Sequence, residues 1–225
     1  MSMAERHIVA VGDGGVSDAV LDEILALARR QPPRFLYVGT ASAEYPWHAL
    51  SLYDRLRGKA AVSHLEFFPW PPADLRELAL AQDVIYVGGG NTANMLAIWR
   101  VHGFDAILRE AWEQGIVLSG GSAGMICWFE AGVTDSFGPQ LEAMRDGLRL
   151  LPGSACPHYD DEELRRPFYR SAVDDGFPPG YAADAGAGLH FVGTELVEVL
   201  SDREGATGHR VEPGSETPLP VRMVG

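Results

Sequence analysis

Ser122 sits in the run Ile116-Val117-Leu118-Ser119-Gly120-Gly121-Ser122-Ala123-Gly124-Met125, where an apolar segment ends in Gly-x-Ser-x-Gly and passes into residues that favour a helix. This is the pattern of a nucleophile elbow, a sharp strand-to-helix turn that lifts a serine Oγ above the end of a sheet. A backbone bent that tightly excludes bulky neighbours, a condition that Gly120, Ala123 and Gly124 meet. The same turn aims the Ala123 N–H and the helix N-terminus at the place where an oxyanion would form. A tight βα turn or a phosphate cradle with an idle serine has the same five residues, so the motif alone does not establish catalysis.

A second glycine cluster, Gly88-Gly89-Gly90-Asn91-Thr92, follows the preceding apolar run. In a parallel sheet both clusters fall at the carboxyl edge, where ligands bind, and glycine N–H groups there could supply a second oxyanion donor. A Walker phosphate loop is disfavoured because Asn91 stands where its lysine would be. A serine nucleophile needs a base within hydrogen-bond reach and a group to orient that base. Among seven histidines, His158 follows Cys156-Pro157, and the proline favours a loop, which suits a catalytic histidine. A plain loop histidine fits equally well. Glu130, Asp135, Asp160 and Asp161 are the acidic candidates for the orienting role.

Positioning these groups requires strands that end on one edge. His7–Val11, Arg34–Val38, Val62–Phe68, Asp83–Val87 and Ile116–Leu118 read as strands, separated by helical patterns over Asp18–Arg30, Pro46–Leu56, Asp74–Leu80, Asn91–Arg100 and Phe104–Gln114. This alternation predicts an α/β fold with a mainly parallel sheet and helices on both faces. Leu189–Val192, Glu195–Leu200 and Gly208–Glu212 read as C-terminal antiparallel hairpin strands, and 212–220 as a loose loop. The order Ser, Asp, His occurs in α/β-hydrolases too, but there the acid and histidine follow several further βα units. Here they come too soon.

The 225 residues, 46% hydrophobic and 22% charged, suit one domain, 1–225. A net charge of −13 argues against nucleic acid and against an anionic membrane surface as partners. Two isolated cysteines, Cys127 and Cys156, supply neither a disulfide framework nor a metal site. Without a leader or an apolar span, a cytoplasmic location is expected.

Val87 to Thr92, Trp112 to Gly115, Ser122-Ala123-Gly124, Thr134-Asp135 and Pro157-His158 together resemble the peptidase E (aspartyl dipeptidase) family, which includes the cyanophycinases and shares its core with class I glutamine amidotransferases. The likeness covers roughly Val84 to Arg166. It implies a serine peptidase of short peptides, with Ser122 as nucleophile, His158 as base, Asp135 as third member, and N–H groups of Gly89 or Gly90 and Ala123 as the oxyanion hole. It implies no cofactor and no metal. Asn91 and Arg166 are expected at the substrate, Arg166 pairing with an aspartate side chain of an Asp-Xaa substrate. An exposed helical arginine with glutamate partners is an equally good reading of Arg166. The chain departs from the family pattern in a slightly short Ser122–Asp135 loop, and Glu130 and Asp160 compete for the acid role. The rival functions are a cyanophycinase-like or isoaspartyl peptidase and a non-catalytic amidotransferase-fold binding protein. A glutaminase would carry cysteine at the elbow, where this chain has Ser122. A small peptide is the expected partner, and a homodimer remains open.

Overall fold

The structure is a computed structural model and describes residues 5–225. Residues 1–4, the start of the segment searched for a leader, lie outside the described residues. Strands β1 (His7–Val11), β2 (Arg34–Val38), β3 (Ala61–Leu65), β4 (Val84–Val87) and β5 (Val117–Gly121) alternate with helices α1 (Asp18–Ala26), α2 (Pro46–Arg55), α3 (Leu75–Leu80), α4 (Thr92–His102) and α5 (Phe104–Glu113). A short helix, α6 (Ala123–Ile126), follows β5, and then β6 (Phe129–Thr134), β7 (Glu142–Met144), β8 (Leu151–Cys156) and α7 (Arg165–Asp174). The chain ends with β9 (Gly180–Ala183), β10 (Ala187–Val192), β11 (Glu195–Ser201), β12 (Gly208–Glu212), β13 (Ser215–Pro218) and β14 (Val221–Met223).

The larger sheet has the order β14-β11-β10-β1-β5-β4-β2-β3. Neighbours from β1 to β3 are parallel, while β10 is antiparallel to both β1 and β11. Alternation along these strands sends side chains to both faces. Val9, Val11, Phe35, Val84 and Val117 meet Val20, Leu21 and Ile24 of α1 and Leu52 of α2 on one face. Ile8, Leu36, Ile85 and Leu118 meet Ala79 of α3, Met95, Leu96 and Trp99 of α4, and Leu108 of α5 on the other. Each such side chain contributes about 1.5–3 kcal/mol when fully buried. Helix starts follow local chemistry: Ser17 Oγ accepts from the Val20 N–H, and Asn91 Oδ1 from the Asn94 N–H, caps worth about 1 kcal/mol each. Gly103, at φ 69°, separates α4 from α5 at the predicted break.

A second sheet, β13-β12-β9-β8-β6-β7, packs through Phe129, Leu151 and Ala155 into the same core as α4 and α5. Its other face is covered by Tyr169 and Val173 of α7. The sequence reading placed one strand of this sheet, Gly208–Glu212, which is β12, and missed the others. It expected a longer helix after Ser122, but α6 stops at Ile126 and β6 begins at Phe129. The stretch 212–220, read as a loose loop, contains β13, which pairs with β12 through Glu212↔Ser215 and Val211↔Glu216. Among the described residues no helix is long and apolar enough to cross a membrane.

Candidate active site

Ser122 follows the last residue of β5 with φ 56° and ψ −109°, a conformation that costs a non-glycine residue about 1–3 kcal/mol. Its surroundings impose it. The Ser122 N–H donates to Val11 O at 3.2 Å, and its own carbonyl accepts from the Met125 and Ile126 N–H groups at 2.9 and 3.0 Å. The flanking glycines are dictated by backbone rather than by taste for turns. A Cβ on Gly120 would lie 2.5 Å from Val87 O, and one on Gly124 only 2.2 Å from it. A Cβ on Gly121 would meet the Asp13 carbonyl oxygen at 1.9 Å.

His158 lies two residues beyond β8, also at positive φ, 56°. Its N–H donates to Gly12 O at 2.7 Å. Two successive carbonyls at the end of β1, Val11 and Gly12, therefore fix the backbones of Ser122 and His158. The side chains meet: His158 Nε2 is 2.9 Å from Ser122 Oγ. On the far side of the ring, Nδ1 is 3.4 Å from both carboxylate oxygens of Asp161 and 3.8 Å from Glu162 Oε1. Glu162 is itself held, because the buried Arg165 donates through Nε to its Oε2 at 2.6 Å and through Nη1 to Val133 O at 3.0 Å. Asp13 completes the acidic surroundings of His158. It accepts from the Gly15 and Gly186 N–H groups at 3.2 and 3.1 Å, and burial pushes its carboxyl above the ordinary carboxylate value.

Gly89 lies against Ser122, its Cβ position 3.2 Å from Ser122 Cβ. Among the described residues the N–H groups of Gly89, Gly90 and Ala123 have no protein acceptor, although Ala123 is 1% exposed. Buried donors in proteins are almost always paired, so unpaired ones beside a serine can receive charge from a ligand.

Several expected site residues lie elsewhere. Asp135 is exposed and makes no hydrogen bond to His158. Its loop docks on the start of α4, where Ser136 O accepts from Asn91 Nδ2 at 2.8 Å and Ser136 Oγ from the Ala93 N–H at 3.3 Å. The same contacts engage the Asn91 side chain within the protein. Its carbonyl oxygen caps α4 and its amide nitrogen holds this loop. Asp160 accepts from the Ala185 N–H at 2.8 Å and pairs with Arg203. Glu130 accepts from the Gly153 N–H at 3.2 Å, near the opposite end of β6. Arg166 donates to Glu216 and lies over the Tyr159 ring. Asp161 was among the sequence candidates. Glu162 was not, although its i,i+4 spacing from His158 was a usable signal if the loop coiled, as it does through Glu162 N–H to His158 O at 3.2 Å.

A sequence model of Peptidase family S51 matches residues 8–199. The chain belongs to that family. S51 is the peptidase E family of serine peptidases, so this S51 chain is a peptidase, as the resemblance implied. It is 45% identical over 231 residues to the uncharacterized peptidase YgaJ of Bacillus subtilis (strain 168), covering 98% of this chain and 100% of that one. Its fold is shared with the crystal structure of a peptidase from an acI-B1 Actinobacterium at TM-score 0.70 and 16% identity, over 99% of this chain and 98% of that one. It is shared also with a putative peptidase E protein from Listeria monocytogenes EGD-e at TM-score 0.66 and 18% identity, over 86% and 98% of the two chains.

Proposed function

We propose that this S51 chain hydrolyses short peptides with Ser122 as nucleophile and His158 as general base. The 2.9 Å contact between His158 Nε2 and Ser122 Oγ, at the tip of a strained elbow, carries the reading. His158 takes the Oγ proton as Oγ attacks the scissile carbonyl. The N–H groups of Ala123 and of Gly89 or Gly90 receive the oxyanion, each worth about 3 kcal/mol at the transition state. The imidazolium then protonates the leaving amine, and water, deprotonated by His158, releases the acyl group. Asp161 and Glu162 share the orienting role, holding the proton on Nδ1 so that Nε2 is free to accept.

Both acids are about half exposed, at 47% and 44%, so their field is partly screened and each does less than a buried triad aspartate. An Asp-Xaa preference, the finer part of the resemblance, would draw on an Arg166 that is half exposed and donates to Glu216.

The test is labelling by a small serine-directed fluorophosphonate, paired with cleavage of a dipeptide and tripeptide library that includes Asp-Xaa and β-Asp-Xaa members. Wild type is expected to label at Ser122 and to cleave. Ser122→Ala and His158→Ala should lose both, the rate falling by about 10⁴ or more. Folded wild type that neither labels nor cleaves would sink the assignment and favour a non-catalytic binding protein. Cleavage restricted to β-Asp-Xaa members would turn the reading to an isoaspartyl peptidase.

A further inference from the structure

The backbone of His158 has to be held by something besides the Gly12 carbonyl. A non-glycine residue keeps a φ of 56° only where its surroundings impose it, and a ring carried on such a backbone loses its aim if the next residue moves. That next residue, Tyr159, is tied down along its length. Its N–H donates to Ala183 O at 3.2 Å, at the end of β9. Its ring is 2% exposed, packs edge-on against Tyr169 of α7 and lies 5.1 Å from the His209 ring of β12. Its hydroxyl donates to Glu216 Oε2 on β13 at 2.9 Å. Burial and the Glu216 carboxylate hold the Tyr159 phenol well above its ordinary pKa, so the hydroxyl stays protonated and stays the donor.

Glu216 is the member of this group that the catalytic turn does not explain. Its side chain is only 8% exposed, in a strand whose other residues, Ser215, Thr217 and Pro218, are exposed. A carboxylate turned inward is costly unless it is paired. Arg166 donates to Glu216 Oε1, and Arg170 Nε lies 3.5 Å from Oε2. Both arginines come from α7, so Glu216 links Tyr159 to that helix. A second brace meets the first at His209. Its Nε2 is 3.3 Å from Asp184 Oδ1, and Asp184 Oδ2 accepts from the Thr207 N–H at 2.9 Å. Asp184 begins the turn to Ala187, whose carbonyl accepts from the Gly12 N–H at 2.8 Å. The His158 backbone is therefore gripped from Gly12 on one side and from Tyr159 on the other.

We infer that Tyr159 and Glu216 are a positioning pair for His158: their hydrogen bond, tied to α7 by Arg166, fixes the backbone that aims Nε2 at Ser122 Oγ. The pair acts on the ring through the chain, not by touching it. The inference takes the role of His158 from the proposed function, and its test includes a signal that needs no turnover.

The experiment sets Tyr159→Phe, Glu216→Ala and Glu216→Gln beside Tyr169→Phe. Tyr169 is the matched control, a buried tyrosine of the same cluster whose hydroxyl is 2.7 Å from Ser154 Oγ. Each variant is read by melting temperature, by kcat and KM on a cleaved peptide, by the rate of fluorophosphonate labelling, and by the imidazole NMR signals of His158, assigned by their loss in His158→Ala. Tyr159→Phe and Glu216→Ala should each lower kcat and the labelling rate by about tenfold, with KM within about twofold, because they disturb aim and not binding. Combined, they should lose no more than the worse single change, because both break one bond. Glu216→Gln should recover most of the loss, since its amide oxygen still accepts from the Tyr159 hydroxyl. Tyr169→Phe should lower the melting temperature comparably and leave kcat in place. The His158 ring signals should move in Tyr159→Phe and stay in Tyr169→Phe. Equal loss of kcat in the two tyrosine variants, an additive double variant, or unmoved ring signals in Tyr159→Phe overturns the pair and leaves the peptidase reading standing. Wild type that neither labels nor cleaves removes that reading by itself, and the ring signals then decide the pair.

Discussion

At Nδ1 of His158 two carboxylates compete for one proton, and they differ in what else they do. Asp161 serves the ring alone, whereas Glu162 also neutralises the buried Arg165. Asp161→Asn is therefore expected to lower kcat/KM by about 10-fold, and the double change with Glu162→Gln by about 100-fold or more, with melting temperature falling only where Glu162 is changed. Asp135→Asn should leave kcat/KM within about twofold. Equal damage from Asp135→Asn and Asp161→Asn in steady-state assays would refute this division. Ser122 and His158 were legible in the sequence because an elbow and a proline-preceded loop are local features. Which of the four acidic candidates lies at Nδ1 was not, because that depends on how the chain turns after His158 and on the docking of the 135–138 loop against α4. Burial pushes the Cys127 thiol up, and that of Cys156 up to about 12. Both should resist iodoacetamide in the native protein at pH 8 and react only on unfolding, as followed by mass spectrometry.

At the scale of elements, β4, β5 and α6 approach so closely that carbonyls occupy the space where side chains would begin. Gly124→Ala is expected to cost several kcal/mol, about 3 or more, because Val87 O stands 2.2 Å from the new methyl and belongs to a central strand that cannot retreat. Urea denaturation should show the loss as a lower midpoint with unchanged slope. Conversion of the elbow motif into structure was readable because these glycines recur at fixed offsets. Gly88 was legible as a turn but not for its reason, which is room for the Tyr37 ring, whose hydroxyl lies 2.4 Å from its Cβ position. The β1–β5 core was readable from its long apolar runs. Most of the second sheet was not, because β8 carries Pro152 and Gly153 and β6 carries Gly132, residues that break the alternation by which a strand is recognised. β12 was readable as Gly208–Glu212, but its partner β13 hid behind Pro213-Gly214, with Gly214 at φ 71° forming the turn.

Across the whole molecule, acid stability rests on arginine–carboxylate ties between elements. Glu198 on β11 accepts from Arg222 on β14 at 2.7 Å, and Arg222 reaches Glu23 on α1 at 2.9 Å. The Arg222 hydrogen bond holds the Glu198 carboxyl below its ordinary value of 4.5, against a smaller opposing effect of burial. The folded pKa is the lower one, so this stabilisation is complete above about pH 4.5 and disappears as pH falls through the folded value. Melting temperature should therefore drop between pH 5 and pH 3, and Glu198→Gln should lower it at pH 7 while flattening that drop. An unchanged acid slope in Glu198→Gln would show that the tie contributes nothing.

The carbonyls of Val11 and Gly12, which hold Ser122 and His158, end a strand whose flanks are β5 and β10. Residues 7–12 leave the ribosome long before residues 187–192, which supply one of those flanks. Pairings this distant in sequence close late. A growing chain thus carries Ser122, from its synthesis until about residue 192, beside a strand that lacks one flank. The proposed catalytic pair is therefore expected to be aimed only once residues 187–192 have joined the sheet.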